Sequence, residues 1–334
     1  MKGKLKAKLI KYCQILNKFH LKEGINPLQM LVLQYKKKKC GFYEFIAKMN
    51  TYNKLLHKYS EYIKNTDMER IEILHNKVIY TTKKDQIKLS FDGIDMRGIP
   101  FEILNWGEYE KEEKTVLEKI IIEPKVIFDI GSNIGWYSLL FGKKYPYSQI
   151  YAFEPIQYSY NYCLENIHLN NLYNINLYNY GLSNKDGREV FFFSQETSAL
   201  TGTENIIEYK NMQKCSQKVK SLDSFVDQYN ISVIDFIKCD VEGSELKVLE
   251  GALKSIRKFK PILFFELFHE WSKFYNYHPM TVFEILFKLG YEAFLPNRGK
   301  LKKVCKYVGT NFSKQNYFFL HNKKHGELIE QHTI

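Results

Sequence analysis

Residues 126–138 read Val-Ile-Phe-Asp-Ile-Gly-Ser-Asn-Ile-Gly-Trp-Tyr-Ser, and this stretch decides the fold. Its opening apolar run is typical of a strand that is buried on both faces of a sheet. Gly131 and Gly135 then allow a sharp turn and a close approach of the backbone to a ligand, because glycine has no Cβ atom. A helix is predicted to start near Asn133 or Ile134. A strand, a glycine turn and a helix in this order predict the first unit of a nucleotide-binding α/β sheet, with the ligand at the strand's carboxyl end.

A second apolar segment, residues 150–155, ends in an acid and makes the prediction more specific. Glu154 lies about 20 residues after the glycine turn, the spacing at which a carboxylate reaches ribose hydroxyls. The turn lacks the middle glycine of the dinucleotide fingerprint, where the backbone approaches a pyrophosphate. A nucleoside ligand without phosphates, such as S-adenosylmethionine, is therefore favoured over NAD. The alternative is an α/β core with an ordinary glycine-containing turn.

Further motifs follow in a fixed order: Phe-Glu-Pro at 153–155, Gly-Leu-Ser at 181–183, Ser-Leu-Asp-Ser-Phe at 221–225, Asp-Phe-Ile-Lys-Cys-Asp-Val-Glu-Gly-Ser-Glu at 235–245, Leu-Glu-Gly-Ala at 249–252 and Pro-Ile-Leu-Phe-Phe-Glu at 261–266. With Phe-Asp-Ile-Gly-x-Asn-x-Gly at 128–135, this order resembles the FkbM family of S-adenosylmethionine-dependent methyltransferases. The resemblance covers about residues 106–322. It implies transfer of a methyl group to a hydroxyl oxygen, as on polyketides or on the sugars of glycans and glycolipids.

Alternating strands and helices predict the architecture. Strands are expected near 125–130, 149–154, 175–181, 233–239 and 262–267, with helices at 157–170, 244–257 and 280–289. This alternation predicts an α/β fold with a mostly parallel sheet that is covered on both faces. Two closing strands are expected at 291–294 and 316–320. The resemblance implies a Rossmann-like class I methyltransferase fold with seven strands, in which that final pair forms an antiparallel edge hairpin.

The domain prediction places a basic helical N-terminal extension at 1–75 and the methyltransferase domain at 76–334. Residues 194–215 do not fit the alternation of strands and helices. A connection of this length is either a lid or binding loop, or a surface excursion without a function of its own.

The resemblance and the order of the strands assign a set of cofactor-binding residues. Asp129 is expected near the ammonium group of S-adenosylmethionine, directly or through water, and Glu154 near its ribose. Backbone groups of Leu182 and Ser183 are expected to read the adenine edge. The predicted cofactor-binding residues are Asp129, Gly131, Asn133, Gly135, Glu154, Leu182 and Ser183.

Methyl transfer to a hydroxyl needs an in-line geometry, and a positioned base helps it. Asp240, Glu242 and His269 follow strands beside the expected position of the methyl group and are the predicted catalytic residues. Asp240 and Glu242 could instead cap the next helix, and His269 could be a packing or surface residue. Together with Glu266 the two acids could hold magnesium. The spacing does not demand a metal, and none is predicted.

Lysine and arginine exceed aspartate and glutamate by 12, and the excess is concentrated at the N-terminus. Residues 1–40 contain eleven lysines and one acid, and an apolar stripe in 3–22 predicts an amphipathic helix. This segment either packs on the catalytic domain or attaches peripherally to the anionic inner face of a membrane. The six scattered cysteines fit a reducing compartment, and a cytoplasmic protein is expected.

The leading interpretation is an O-methyltransferase that acts on a sugar hydroxyl of a glycan, glycolipid or nucleotide-sugar. The expected partner is therefore a carbohydrate or glycolipid acceptor, and not a nucleic acid. A nucleic-acid methyltransferase is the alternative that the basic charge suggests. Against it, the Asn/Asp-Pro-Pro-Tyr/Phe motif of amino-methylating enzymes is missing, and the lysines cluster outside the catalytic part.

Overall fold

The structure is a computed structural model that describes residues 26–95, 98–196, 201–204, 212–309 and 315–334. The amphipathic helix predicted for residues 3–22 lies outside the described residues. No described helix is both long enough and apolar enough to cross a membrane.

The described strands are β1 (Met68–Ile73), β2 (Val78–Thr82), β3 (Lys88–Phe91), β4 (Val126–Ile130), β5 (Gln149–Phe153), β6 (Ile175–Tyr178), β7 (Gly181–Leu182), β8 (Gly187–Phe193), β9 (Gln213–Lys220), β10 (Phe236–Cys239), β11 (Ile262–Leu267), β12 (Tyr291–Asn297), β13 (Lys300–Val304) and β14 (Gln315–His321). The described α-helices are α1 (Pro27–Lys36), α2 (Phe42–Tyr62), α3 (Ile99–Trp106), α4 (Lys111–Ile120), α5 (Trp136–Lys144), α6 (Gln157–Leu169), α7 (Leu222–Gln228), α8 (Glu245–Glu250), α9 (Leu253–Phe259), α10 (His269–Ser272), α11 (Met280–Lys288) and α12 (Gly326–His332). Short 3-10 turns follow at Ile63–Asn65 and Lys273–Tyr275.

The central sheet has the order β13-β12-β14-β11-β10-β4-β5-β6. The strands from β11 to β6 run parallel, and β14 is antiparallel to both of its neighbours. This arrangement confirms the predicted Rossmann-like α/β fold. The position where the strand order reverses, between β4 and β10, is where such sheets bind ligands.

The sheet has eight described strands, and the prediction of seven missed β13. The two predicted closing strands do pair antiparallel, but β13 pairs with β12 and takes the edge. A two-residue turn makes this edge hairpin possible, because both Arg298 and Gly299 adopt positive φ angles. Lysines dominate β13, a composition that protects an exposed edge but hides the strand from hydrophobic patterning.

The two faces of the sheet bury separate cores. On β4, Ile127 packs into the core that includes α5, while Phe128 and Ile130 face the core that includes α7 and α11. The alternation follows from the two-residue period of a strand. Asp129 shares the side of Ile127 and is fully buried.

The predicted boundaries shift at three points for local reasons. The first core helix begins at Trp136, because Asn133 and Gly135 have φ angles of 48° and 96° and cannot join it. The helix predicted at 244–257 is divided into α8 and α9. The strand predicted at 175–181 is divided as well, because β7 leaves the central sheet to pair with β9.

The chain before β4 forms a helical hairpin and a small sheet. Helices α1 and α2 pack on each other through a Tyr35–Phe45 ring stack, and neither contains a buried residue. Strand β1 pairs with β2, so the domain boundary predicted at residue 75 falls inside one hairpin. The division into an extension and a catalytic domain stays a prediction.

Candidate active site

A cavity lies at the carboxyl ends of β4, β5 and β7. Most of the predicted cofactor-binding residues line it: Gly131, Asn133, Glu154, Leu182 and Ser183. They converge because parallel strands end level with one another. Ile130 stands opposite both Phe153 on β5 and Cys239 on β10.

Glu154 is the most enclosed acid in this cavity, with 5% of its surface exposed. Its two oxygens accept hydrogen bonds from the backbone N–H groups of Asn133, at 2.9 Å, and Ile156, at 2.8 Å. Burial raises the pKa of Glu154 to about 7, against the lowering effect of those two bonds. A carboxylate oxygen keeps a second lone pair after one bond, so Glu154 can still accept hydrogen bonds from two ribose hydroxyls.

Gly131 brings two strand ends together. Its φ angle is 77°, and a Cβ atom there would collide with the backbone carbonyl of Asp240. Its own carbonyl oxygen accepts a hydrogen bond from the Lys238 ammonium at 3.1 Å. The glycine is therefore required by the approach of the loop after β10, as well as by the turn.

Gly135 lies outside the residues that line the cavity, and its φ is 96°. A Cβ atom there would lie 2.8 Å from the Cys163 sulfur on α6. The close approach at this position is therefore made by a helix, whereas the sequence pattern suggested a ligand. A direct role of Gly135 in cofactor binding stays a prediction.

The far end of the cavity is held by side chains around Ser183. The Ser183 hydroxyl donates to Glu189 at 2.6 Å, and the Lys247 ammonium lies 3.2 Å from the other Glu189 oxygen. Residues 201–203, from the long connection between β8 and β9, also line the cavity. The Thr203 backbone N–H donates to the Tyr275 hydroxyl at 2.9 Å. This part of the predicted lid or surface excursion thus contacts the site.

A second cavity adjoins the first and shares part of its wall. The shared residues are Gly131, Asn133, Asp240 and Glu242. Aromatic and acidic side chains make up much of the remaining wall: Asp95, Glu102, Tyr109, Glu110, Trp136, Tyr137 and Glu266. Two adjoining cavities that share acids on their common wall suit a reaction in which a group donor lies in one cavity and its acceptor in the other.

Lys238 lies beneath that shared wall and is buried. Its ammonium is 3.3 Å from Asp240 and 3.7 Å from Asp129. Burial acts to lower the pKa of Lys238, but the surrounding carboxylates, Asp240 first, raise it further. Lys238 therefore stays charged. The Asp129 carboxylate is occupied by this contact and by the Ser138 hydroxyl at 2.6 Å, and Asp129 is absent from both cavity walls.

Asp240, Glu242 and Glu266 place carboxylate oxygens within 4.8 Å of one another. Register explains the meeting, because Cys239 pairs with Phe265 and the next residues of the two strands are the acids. Such an oxygen cluster could hold a hard divalent cation.

A different acid, Glu245, accepts the backbone hydrogen bonds that the capping alternative would give to Asp240 and Glu242. Glu245 accepts hydrogen bonds from the backbone N–H groups of Val241, at 3.3 Å, and Gly243, at 3.0 Å. It also accepts one from the Tyr277 hydroxyl at 3.0 Å. Burial raises the pKa of Glu245 to about 7. Glu245 therefore fixes the loop that presents Asp240 and Glu242.

His269 lies at the start of α10 and lines neither cavity. Its ring is 4.6 Å from the His278 ring, and its backbone N–H donates to the Tyr307 hydroxyl at 3.1 Å. Its catalytic role stays a prediction.

Sequence reasoning overlooked Glu110, which lines the second cavity from the residue before α4. Burial is the main reason why the pKa of Glu110 is raised to about 7. The signal in the sequence is only an acid ahead of a helix. Nothing in that pattern shows that the side chain reaches a site built by strands farther along the chain.

Comparison with known proteins agrees with this geometry. The model of the Methyltransferase FkbM domain matches residues 129–293. Methyltransferase 1 of Beauveria bassiana is 30% identical over 142 residues, which are 37% of this chain and 57% of that protein. Hexuronic acid methyltransferase AglP of Haloferax volcanii is 30% identical over 135 residues, which are 40% of this chain and 53% of that protein.

Among solved structures, the methyltransferase FkbM from Methylobacillus flagellatus KT aligns with a TM-score of 0.41 and 15% identity, over 66% of this chain and 53% of that one. The chain matches a little over half the length of the curated relatives named above. The family that the motifs predicted is confirmed. The chain therefore carries, in residues 129–293, a methyltransferase domain of the FkbM family.

Proposed function

We propose that this protein is an O-methyltransferase that moves the methyl group of S-adenosylmethionine to a hydroxyl of a sugar, in a glycan, a glycolipid or a nucleotide-sugar. The observation that carries the proposal is the pair of adjoining cavities that share Asp240 and Glu242. One cavity has the features of a nucleoside site, and the other has the hydrogen-bonding and aromatic groups of a polyol site.

The residues of the first cavity fit the cofactor. The Glu154 carboxylate, buried and fixed by two backbone N–H groups, matches two neighbouring ribose hydroxyls. Leu182 supplies an apolar contact for the adenine ring, with backbone groups of Ser183 beside it. Gly131 and Asn133 lie where the cavity turns toward the second one. Asp129 acts on this site through Lys238 and Ser138 rather than by a direct contact.

The residues of the second cavity fit a hydroxyl-rich acceptor. Carboxylates accept hydrogen bonds from hydroxyls, and the aromatic side chains of Tyr109 and Trp136 line the same cavity. A polyanionic nucleic acid would meet six described carboxylates here and one described lysine, an unfavourable balance. One curated relative is named a hexuronic acid methyltransferase, which supports a carbohydrate class.

The catalytic proposal follows from this placement. S-adenosylmethionine supplies an electrophilic methyl group on a sulfonium sulfur when it is bound. Asp240 and Glu242, on the wall that the cavities share, hydrogen-bond the acceptor and align its hydroxyl for in-line attack. Lys238 keeps Asp240 in place through the 3.3 Å ion pair. His269 is retained as a third catalytic candidate, although it acts from outside both walls.

Two measurements test the function. Calorimetry with S-adenosylhomocysteine should show binding, and transfer of a tritiated methyl group should label methyl glycosides of neutral hexoses. Binding of NAD without any binding of S-adenosylhomocysteine would contradict the cofactor assignment. Labelling of RNA or DNA, with no labelling of any glycoside, would favour the nucleic-acid alternative.

We further propose that the protein is cytoplasmic and that residues 1–40 attach it peripherally to an anionic membrane face. In the described part of this segment, Leu28, Met30 and Leu33 are exposed on α1, next to the run Lys36–Lys39. Apolar contact and lysine charge reinforce each other at such a surface. Sedimentation with vesicles should show binding that needs anionic lipid and weakens with salt. Equal recovery with neutral vesicles would leave only a packing role.

A further inference from the structure

The conformation of Glu110 is not explained by capping of the helix that follows it. It is the residue before α4, yet its side chain makes no capping hydrogen bond to that helix. Its backbone is left-handed, with φ 45° and ψ 50°, a conformation that non-glycine residues rarely adopt without a reason. The left-handed turn instead accompanies a side chain that lines the second cavity.

Groups from two other elements hold the Glu110 carboxylate. The Tyr137 hydroxyl, on the helix that follows the glycine turn, donates a hydrogen bond to one oxygen. The Asn316 amide, on β14, donates to the other oxygen at 3.4 Å. Asn316 stands directly opposite Glu266 in the register of β14 with β11. Glu110 is thereby fixed on the same side of the sheet as the carboxylates that end β10 and β11.

Burial and the neighbouring charges together place the pKa of the Glu110 carboxyl group near neutral pH. Burial, with Glu113 and Asp240 as like charges, raises the pKa of Glu110 to about 7. The Tyr137 bond and the Lys238 charge oppose that rise. Burial keeps Tyr137 a neutral donor, because it raises the pKa of that phenol well above its ordinary value. A base whose pKa lies near the working pH is the most effective kind.

We propose that Glu110 is a catalytic residue, the proton acceptor for the attacking hydroxyl, and that Tyr137 positions it. This inference rests on the proposed O-methyl transfer. As the acceptor oxygen forms its bond to the methyl carbon, the carbon–sulfur bond breaks and its electron pair stays on sulfur as a neutral thioether. The hydroxyl proton passes to the ionised Glu110 carboxylate, which later releases it to water.

The first test is kinetic and uses tritiated methyl transfer to methyl glycosides of neutral hexoses. In the wild-type protein, kcat should rise with pH through a midpoint near 7. The Glu110→Gln variant keeps the size of the side chain and, through its single amide oxygen, one of the two accepted hydrogen bonds. Its kcat should fall roughly 10²–10⁴-fold, with no midpoint near 7. Tyr137→Phe should lower kcat less and move the midpoint upward, since a hydrogen bond to the carboxylate is lost.

The matched control is Glu113→Gln. Glu113 shares the Asn316 amide with Glu110, at 3.2 Å, but does not line the second cavity. Above the midpoint, at about pH 9, its kcat should stay within about threefold of wild type, and its midpoint should move downward because a like charge beside Glu110 is removed. A Glu110→Gln variant with normal kcat and only a higher KM would overturn the proposal, because that residue would then only bind the acceptor.

The second test needs no acceptor. Difference infrared spectra of wild type minus Glu110→Gln, with S-adenosylhomocysteine bound, should show a protonated-carboxyl band that disappears with a midpoint near pH 7. A midpoint below about pH 5 would overturn the proposal. If S-adenosylhomocysteine binds and the infrared midpoint is near 7, but no glycoside is labelled, the acceptor assignment fails and the role of Glu110 does not. Thermal unfolding of each variant separates misfolding from lost chemistry.

Discussion

The strands around β4 and the α1–α2 hairpin are both rich in apolar residues, yet they use them in opposite ways. Phe128, Phe153 and Phe236 are fully buried between the sheet and its helices. In α2, Phe42 is 56% exposed and Tyr43 is 86% exposed, and none of the residues of that helix is buried. The comparison teaches that apolar content alone does not predict burial. A surface must also face a second surface that can exclude water.

The largest expected contrast is in core packing. Phe128→Ala should lower the free energy of unfolding by about 3–5 kcal/mol, since it removes a ring that stacks on Phe153 and contacts Phe225. Phe42→Ala should change it by less than about 0.5 kcal/mol. Urea denaturation of both variants measures the difference. Comparable losses in the two variants would show that the hairpin is buried in solution.

Glycine substitutions give the next contrast. Gly131→Ala should cost about 2–4 kcal/mol, because the new methyl group meets the Asp240 carbonyl and the φ angle is 77°. Gly41, ahead of α2, has an ordinary φ of −77°, and a Cβ atom there would meet nothing within 4 Å. Gly41→Ala should therefore cost less than about 1 kcal/mol. Thermal unfolding compares the two variants, and a harmless Gly131→Ala would refute the close approach of the two loops.

Cofactor binding should depend on the first cavity and not on the hairpin. Glu154→Ala should weaken S-adenosylhomocysteine binding by about 1.5–3 kcal/mol, the scale of hydrogen bonds to a charged group. Because ribose hydroxyls bind the ionised carboxylate, affinity in the wild type should rise with pH through about 7, the pKa of Glu154, and level off above it. Glu44→Ala on α2 is the control and should leave calorimetric affinity unchanged at every pH.

The last contrast is a pH dependence of the free energy of unfolding. Glu154 and Glu245 each have a pKa raised by burial from 4.5 to about 7. The folded protein therefore binds more protons than the unfolded chain in this window, so these groups favour folding at low pH. Their contribution is lost as the pH rises from about 4.5 to 7.

Urea midpoints measured between pH 5 and 8 check this sign. The slope should be smaller in Glu154→Gln and in Glu245→Gln than in wild type. Glu44 on the hairpin, whose pKa is lowered by its hydrogen bond to Lys48, should contribute no such slope. An unchanged slope in both glutamine variants would contradict the burial of these carboxyls.

Much of the fold could be predicted because its signals are local. The apolar run before Gly131 and the acid that ends the next segment correspond to β4 and β5 within one residue. β13 could not be predicted, since its lysines face solvent at an edge that only the neighbouring β12 defines. The division of helix 244–257 could not be predicted either. It falls at Gly251, where a Cβ atom would collide with the backbone of Ser183, a residue that is far away in the sequence.

The candidate site shows the same limit. The acids at the strand ends could be predicted, because each follows directly from the strand before it. That Asp129 is held by Lys238 and Ser138, and that Glu110 joins the second cavity, depends on residues brought together across the sheet. Side-chain partners of this kind leave no spacing pattern in the chain.

The sequence by itself determined the order of strands and helices, the glycine turn and the family, because hydrophobic period and glycine placement act over a few residues. The tertiary structure decided which carboxylates meet, which of the two glycines lines the cavity and which apolar helix stays exposed. Those outcomes depend on register between strands and on the close packing of distant segments, and both are set only when the whole sheet is assembled.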